Sequence, residues 1–193
     1  NAFRIDITPF IQFGKKNLIK VHLNNVEESS RWYPGGGLYR PVSVELYGNE
    51  NFSTWDTFVR TLKADKQEAE VEVNALLEGK TGKSGKTVIA LFDEAGKKVA
   101  EQTVSGAAPA IKTTLKVENP QLWSPESPYL YQVKLTRYEG KKVADVQTLK
   151  TGIRTISVTK DHGFLLNGVT RKLKGVCLHH DLGPLGAAEN KAA

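Results

Sequence analysis

The 193-residue sequence contains a single cysteine, Cys177, and no methionine. One cysteine cannot form an intrachain disulfide and provides no paired-cysteine metal motif. It therefore does not indicate whether the protein resides in a reducing or an oxidising compartment. Cys177 is most simply interpreted as a small buried hydrophobic residue. The chain starts at Asn1 within a strand-like pattern and without a basic or apolar leader, so we expect any export signal to lie upstream.

The sequence also lacks a long apolar run and a concentrated charge of one sign. No apolar stretch approaches the roughly 20 residues that cross a bilayer, which argues against a membrane-spanning helix. The formal net charge of +6 is spread evenly, because residues 1–48, 49–157 and 158–193 each carry two more basic than acidic groups. Nucleic-acid binding needs a concentrated basic face, whereas this pattern is typical of a lysine-rich solvated surface. We therefore expect no nucleic-acid and no membrane partner.

Alternation of apolar and polar residues runs through most of the chain and predicts an all-β protein. Residues 49–157 hold seven strand candidates, a number typical of an immunoglobulin-like β-sandwich. They lie near residues 54–62, 69–77, 87–92, 98–103, 111–117, 129–138 and 142–150. Residues 1–48 hold three more, near residues 3–7, 19–23 and 42–46, which are too few to close a domain by themselves.

Turn residues support this assignment of strands. Residues 93–96, 139–141 and 167–168 each separate two strand patterns with a sequence that favours a hairpin. The prolines at positions 120, 125 and 128 cannot donate ladder hydrogen bonds. They predict an extended segment that crosses from one strand to the next.

The segment from Leu165 to Ala188 leads from a predicted buried strand into a loop that carries His179, His180 and Asp181. A loop at the carboxyl end of a strand is where barrel enzymes place their chemistry. Neighbouring residues on a strand face opposite sides, so the two histidines cannot easily bind one metal ion. One of them can hydrogen-bond a substrate hydroxyl; alternatively, its hydrogen bonds are satisfied within the loop. Since little sequence follows, we expect the chain to be a piece of a larger enzyme.

Two further features have simple structural interpretations. Residues 31–41, RWYPGGGLYRP, place three glycines among aromatic and arginine side chains. This suits a tight packing loop or, alternatively, aromatic contact with a sugar. The carboxylate pairs Glu27–Glu28 and Asp93–Glu94 lie in predicted turns, where a solvated pair is the usual state. A retaining glycosidase needs two carboxyl groups about 5 Å apart, and neither pair predicts such a dyad.

Four motifs, in their order and spacing, closely resemble glycoside hydrolase family two, the group of β-galactosidases, β-glucuronidases and β-mannosidases. They are RWYPGGGLYRPV, LWSPESPYLYQV, TGIRTISV and GFLLNGVTRKLKGVCLHHDLGPLGAA. The resemblance implies that residues 1–48 end a sugar-binding jelly-roll domain, that 49–157 form the immunoglobulin-like sandwich, and that 158–193 begin a truncated TIM-barrel catalytic domain. It implies a parent enzyme that hydrolyses terminal β-glycosides, chiefly β-galactosides, with retention. Members of this kind are often periplasmic or secreted.

The resemblance also implies roles for individual residues. The family's catalytic glutamates lie far into the barrel, so we expect no catalytic residue in this chain and no activity from it alone. His179 stands where the family's histidine contacts the substrate, and Asp181 is a second substrate-binding candidate in the same loop. Ser29 and Ser30 stand where some β-galactosidases carry an active-site aspartate, which departs from the galactosidase pattern. We expect a carbohydrate substrate, no cofactor and no metal ion.

A different class of function is compatible with the same strand pattern. The chain could be a non-catalytic β-sandwich module that binds carbohydrate or protein. In either case, unpaired strand edges at its two ends invite pairing with another copy, so we also expect a homo-oligomer.

Overall fold

The computed structural model describes residues 3–24, 26, 37–38, 41–79, 85–177, 185 and 192. Within these residues the protein is all-β, as predicted, with one short 3₁₀ helix at Thr8–Phe10. The strands are β1 Glu50–Phe52, β2 Phe58–Ala64, β3 Glu68–Gly79, β4 Gly85–Phe92, β5 Lys98–Ser105, β6 Ala110–Glu118, β7 Tyr131–Glu139, β8 Lys142–Thr151, β9 Ile156–Thr159, β10 Gly163–Leu166 and β11 Val169–Thr170.

Strands β1 to β8 form two antiparallel sheets. In the first sheet β3 is central: it pairs with β2 over residues 69–74, with β1 over residues 77–79 and with β6 over residues 68–76. The second sheet has the order β5-β4-β7-β8. This arrangement of seven principal strands in two sheets is that of an immunoglobulin-like sandwich.

The hydrophobic core draws side chains from both sheets. Strand β7 shows why the sequence folds this way, because its buried and exposed residues alternate along YQVKLTRYE and turn Tyr131, Val133 and Leu135 inward. The core consists of residues that are at most 5% exposed, namely Phe52, Ala69, Val71, Val73, Ala75, Leu77, Ile89, Leu91, Ile111, Leu115, Val117, Tyr131, Val133, Leu135 and Ile153.

The seven strands predicted between residues 49 and 157 correspond to β2 through β8. The hairpin turns are also confirmed: Gly96 and Gly140 have φ values of 80° and 60°, and Asp93 Oδ1 accepts the Lys97 amide at 2.8 Å. Strand β1 was not predicted, because its three residues are all buried and show no alternation. The proline-containing residues 119–130 contain no strand and connect β6 to β7, as expected.

Strands β9, β10 and β11 form a separate three-stranded antiparallel sheet. The predicted turn at Asn167 and Gly168 joins β10 to β11, with φ values of 50° and 76°. Two consecutive positive φ values are what a type I′ hairpin turn requires, and Asn-Gly is the sequence that adopts them most readily.

The strands predicted between residues 3 and 46 are not formed in the described part of that segment. In this segment Asn17 caps a turn by bonding the backbone of Gln12, and Arg4 pairs with Glu45 at 3.3 Å. The alternating apolar side chains Phe3, Ile5, Ile19, Val21, Leu23, Val42 and Val44 are all exposed. Alternation alone does not make a strand, because the backbone also needs a neighbour that supplies ladder hydrogen bonds.

The chain divides into two compact units, one of Asn1–Glu45 with Val176–Ala193 and one of Leu46–Gly175. The second unit contains both sandwich sheets and the β9-β10-β11 sheet. The three-part division at residues 48 and 157 that the resemblance implies stays a prediction. In the described part of the chain, no helix has the length and apolar character needed to cross a membrane.

Candidate functional site

The two predicted substrate-binding residues, His179 and Asp181, lie outside the described residues, as do residues 31–36 of the glycine-rich motif. The last continuous described stretch before His179 is residues 171–177, which form no strand. Leu173 and Val176 are 76% and 92% exposed, and Cys177 is exposed as well. The prediction of a buried strand with a buried Cys177 is therefore wrong for this stretch, because these residues form no strand and Leu173, Val176 and Cys177 are exposed.

Three of the four motifs meet at one place in the Leu46–Gly175 unit. We call this place the junction cluster, and it consists of Trp123, Glu126, Gly152, Arg154, Asn167 and Arg171. The residues come from the crossing segment 119–130, from the chain between β8 and β9, and from the β10–β11 hairpin and the residue that follows it. The cluster joins the sandwich to the segment that leads towards His179.

Asn167 is the centre of the junction cluster. Its backbone N–H donates to the Thr155 carbonyl at 2.9 Å, and its Oδ1 accepts the Thr155 N–H at 3.0 Å. Its Nδ2 donates to the Trp123 carbonyl at 3.0 Å. One side chain in a hairpin turn thus bonds two segments that are distant in sequence.

Trp123 is held on two sides. The Trp123 N–H donates to the carbonyl of the fully buried Ile153 at 2.8 Å, which anchors the cluster to the core. The Arg154 guanidinium lies 5.1 Å from the centre of the Trp123 ring, within the range of a cation–π contact. A Cβ atom added to Gly152 would lie 2.7 Å from Trp123 Cγ, so only glycine allows this approach.

Arg171 connects the end of the hairpin to the crossing segment. Its Nη1 and Nη2 both donate to the Glu126 carboxylate, the latter at 3.0 Å. The Arg171 N–H also donates to the Phe164 carbonyl at 2.9 Å. The hydrogen bond from Arg171 lowers the pKa of Glu126, so the carboxylate stays charged near neutral pH. Because both side chains are partly solvated, this bidentate pair orients the chain more than it stabilises it.

The buried carboxylates of the described residues are engaged in ion pairs. Glu50 pairs with Arg137 at 2.9 Å inside the sandwich, and both side chains are at most 3% exposed. Glu72 accepts from Asn74, Lys112 and Arg60 at 2.8, 3.1 and 2.8 Å. These hydrogen bonds, that of Asn74 first, lower the pKa of Glu72 to about 2.

A general acid needs a raised pKa, so the engaged and ionised Glu72 is unsuited to proton donation. The carboxylates of the turn pair Asp93–Glu94 are also engaged in hydrogen bonds, since Asp93 accepts the Lys97 amide and Glu94 accepts the Leu130 amide. Among the described residues there is no group of three or more histidine, cysteine or acidic residues that could hold a metal ion.

An open depression of about 400 Å³ lies at one end of the second sheet. Its lining mixes acidic, basic, amide and apolar groups, from Asp93, Glu94, Gly96, Leu130, Gln132 and Lys150. Asp93 and Glu94 in this lining each accept a hydrogen bond from a backbone amide.

The junction cluster was not predicted as a site, although its motifs were recognised. The Asn-Gly pair signals the turn, and the glycine before Ile153 hints at a close approach. Neither signal identifies the partners, because Trp123 is 44 residues from Asn167 in the chain. Such pairings are set by the tertiary fold.

Comparison with known proteins gives a consistent result. The sequence model described as Glycosyl hydrolases family 2 matches residues 52–154. The β-galactosidase BoGH2A of Bacteroides ovatus is 38% identical over 200 residues, which cover 100% of this chain and 24% of that protein. A β-glucuronidase of Formosa agariphila is 30% identical over 201 residues, which cover 90% of this chain and 20% of that protein.

A solved structure agrees with these matches. The crystal structure of a glycosyl hydrolase family 2 (GH2) member from Bacteroides cellulosilyticus aligns with a TM-score of 0.86 and 39% identity, over 94% of this chain and 26% of the other. The chain therefore spans about a quarter, or less, of the length of these relatives.

Proposed function

Since this chain belongs to glycosyl hydrolases family 2, we propose that it is part of a β-glycosidase and that it supports and borders the substrate pocket of that enzyme. The family match and the relatives named β-galactosidase and β-glucuronidase support the class of reaction. The reaction is hydrolysis of a terminal β-glycosidic bond.

The observation that carries the role of this chain is the junction cluster. The Trp123 N–H donates to the carbonyl of core residue Ile153, and Asn167 Nδ2 donates to the Trp123 carbonyl. The Arg171 guanidinium donates to the Glu126 carboxylate. Arg171 is eight residues before His179. These bonds anchor the chain to the sandwich as far as Arg171.

His179 is the residue we propose to bind a substrate hydroxyl, with Asp181 as a second polar contact from the same loop. An imidazole can donate to or accept from a sugar hydroxyl, and a carboxylate accepts from one. In the proposed arrangement residues 1–48 belong to a sugar-binding jelly roll and residues 158–193 begin a TIM barrel.

Bond cleavage in the proposed enzyme follows the retaining mechanism. One carboxylate attacks the anomeric carbon while a second, about 5–5.5 Å away, protonates the leaving oxygen, and water then hydrolyses the glycosyl-enzyme. We assign neither carboxylate to a residue of this chain.

The finer proposal concerns the sugar. Similarity to BoGH2A favours β-galactosides, and similarity to the Formosa enzyme favours β-glucuronides. Ser29 and Ser30, which stand where some β-galactosidases have an aspartate, make the β-glucuronide a real second candidate.

An enzyme assay tests the proposal. The natural gene product that contains these 193 residues is incubated with nitrophenyl β-galactoside, β-glucuronide and β-mannoside, and with the α-galactoside as a control. We expect release of nitrophenol from a β-glycoside and none from the α-anomer, and we expect the 193-residue chain alone to release none. A gene product inactive on every β-glycoside contradicts the proposal.

A pair of histidine variants tests the binding role. His179→Ala should raise KM about 10-fold or more through loss of a substrate hydrogen bond, while the adjacent His180→Ala is the matched control. Equal effects of the two substitutions would contradict the assignment of His179.

The expected homo-oligomer also stays a prediction. Within the two sandwich sheets, β1, β2, β5, β6 and β8 each pair with only one strand among the described residues, so they are the edges where a second copy would add. Light scattering that shows only a monomer would contradict it.

A further inference from the structure

Asn167 and Gly168 form the only Asn-Gly pair in the sequence. In such a pair the backbone nitrogen of glycine can attack the side-chain carbonyl carbon of asparagine, because glycine has no Cβ beside that nitrogen and has the greatest backbone freedom. Asn167 is half-buried and Gly168 is exposed, and a Cβ added to Gly168 would meet no atom within 4 Å. Solvent therefore reaches the pair, and no neighbouring group shields the glycine.

The backbone of the turn nevertheless keeps the attacking nitrogen away from its target. Closing a succinimide ring joins the Gly168 nitrogen to Asn167 Cγ, so this nitrogen must lie on the same side of the Asn167 Cα–C bond as Cβ. The φ values of 50° and 76° are those of a type I′ turn, whose first central residue has a ψ of about +30°. At that ψ, tetrahedral geometry places the nitrogen almost opposite Cβ. The turn must open before the ring can close.

Hydrogen bonds fix the Asn167 amide as well. Its Oδ1 accepts the Thr155 N–H at 3.0 Å, and its Nδ2 donates to the Trp123 carbonyl at 3.0 Å. Attack on Cγ moves both atoms out of the amide plane and expels Nδ2, so both bonds must break. The Asn167 N–H is also bonded, to the Thr155 carbonyl at 2.9 Å. The same contacts that form the junction cluster thus oppose the reaction.

We propose that Asn167 is a site of spontaneous deamidation, from which the folded β10–β11 turn is protected and which reacts when that turn opens. The Gly168 nitrogen loses its proton and bonds to Asn167 Cγ, the Cγ–Nδ2 bond breaks, and Nδ2 leaves as ammonia with that proton. Water then opens the succinimide. Cleavage of the bond from nitrogen to Cγ gives aspartate, and cleavage of the bond to the main-chain carbonyl carbon gives isoaspartate. One water is consumed, one ammonia is released, and no oxidant takes part.

Either product prevents the original hairpin from re-forming. Isoaspartate carries the chain through its Cβ and Cγ, which adds a backbone atom to a two-residue turn. The pairing of Leu165 with Thr170 and of Leu166 with Val169 depends on the length of that turn. Aspartate has an oxygen where Nδ2 donated to the Trp123 carbonyl, so that hydrogen bond is lost. Deamidation therefore makes a transient opening of the hairpin permanent.

Asn119 is a matched internal control. It has nearly the same backbone conformation as Asn167, with a φ of 47°, but the next residue is Pro120. The proline nitrogen carries no hydrogen, so it cannot lose a proton and close the same ring. Asn119 should stay unmodified in the protein whether the chain is folded or unfolded.

The natural gene product, aged in mildly alkaline buffer and digested with trypsin, tests the proposal by mass spectrometry. Cleavage after Lys160 and Arg171 releases a peptide whose only asparagine is Asn167. A mass gain that matches replacement of NH2 by OH therefore reports its deamidation. A synthetic peptide of residues 161–171 is the unfolded reference. Because two side-chain hydrogen bonds must break first, we expect the folded protein to react about 10- to 100-fold more slowly than this peptide, and the protein unfolded in urea to match it.

A variant that disturbs the partner of Asn167 tests the cause of the protection. In Gly152→Ala the new Cβ would lie 2.7 Å from Trp123 Cγ and displace the residue whose carbonyl Asn167 bonds. Deamidation should accelerate about 3- to 10-fold, the equivalent of one hydrogen bond. Gly175→Ala, where a Cβ meets no atom within 4 Å, should react at the wild-type rate. If Gly152→Ala does not fold, wild-type protein in urea below the unfolding transition replaces it, and the rate should rise in parallel with hydrogen exchange of residues 164–171.

Each contrary result overturns a stated part of the inference. A folded protein that deamidates as fast as the peptide shows that the turn gives no protection. A peptide and a urea-unfolded protein that both keep Asn167 intact show that the site is not reactive. Equal acceleration in Gly152→Ala and Gly175→Ala, or a rate in urea that does not follow hydrogen exchange, overturns the role of the junction cluster. None of these results depends on glycosidase activity, so they are independent of the proposed function.

Discussion

Replacing Glu50 with glutamine removes the negative charge from the ion pair at the centre of the sandwich. The inward alternation of β7 places Arg137 in the interior, where it is 1% exposed. Its Nη2 donates to Glu50 at 2.9 Å and to the Gly106 carbonyl at 3.1 Å, and its Nη1 lies 3.3 Å from Thr87 Oγ1. After Glu50→Gln the guanidinium keeps only uncharged acceptors.

The structure sets the size of the effect. Removing one partner of a buried ion pair typically costs about 3–5 kcal/mol, because the remaining charge stays desolvated. Arg137 has no exit to solvent: its guanidinium packs directly on Gly85, and the Nε atom is buried without a hydrogen-bond partner in the described part of the chain. We therefore expect a loss within that range, or a fall in Tm of about 6–20 °C for a domain of this size.

Urea unfolding at pH 7 measures this loss, with Glu101→Gln as the matched control. Glu101 pairs with Lys98 at 2.7 Å, but both side chains are at least 42% exposed, so its replacement should cost less than about 1 kcal/mol. Replacing both charges, Glu50→Leu with Arg137→Met, should recover most of the stability. A loss under about 1 kcal/mol for Glu50→Gln, or a double variant as unstable as the single one, would refute the reasoning.

Two further predictions concern packing and pH. Gly152→Ala should destabilise the protein by about 1–3 kcal/mol, because the new Cβ would meet Trp123 atoms at 2.7 Å and displace the ring from Arg154. Thermal unfolding measures this loss. The control Gly175→Ala should be nearly neutral, because a Cβ at Gly175 meets no atom within 4 Å. Glu72 has its pKa lowered from 4.5 to about 2, so its contribution to stability is complete above about pH 4.5 and is lost as the pH falls towards 2. Urea unfolding between pH 6 and 2 should therefore show a steeper loss for the wild type than for Glu72→Gln, and parallel curves would contradict the role of Glu72.

The sandwich strands were predictable because their signals are local. Alternation in β7 and β8, and turn residues such as Gly96 and Gly140, act within a few residues of each other, so the sequence indicates them without knowledge of the fold. The same local reasoning was wrong for residues 3–46, where the described part forms no strand. A pattern specifies which face a strand would bury, but only a neighbouring segment can complete its hydrogen bonds.

The candidate site likewise has some features that the sequence indicates and others that only the tertiary fold sets. The motifs identified the family, and the Asn-Gly pair predicted the turn, from the sequence by itself. Only the tertiary structure decided that the Asn167 amide bonds Trp123, 44 residues away, and that Arg137 finds its counter-charge on Glu50, 87 residues away. Periodicity and turn chemistry depend on neighbours along the chain, whereas buried polar groups take partners from whichever segments the folded sheets bring within bonding distance.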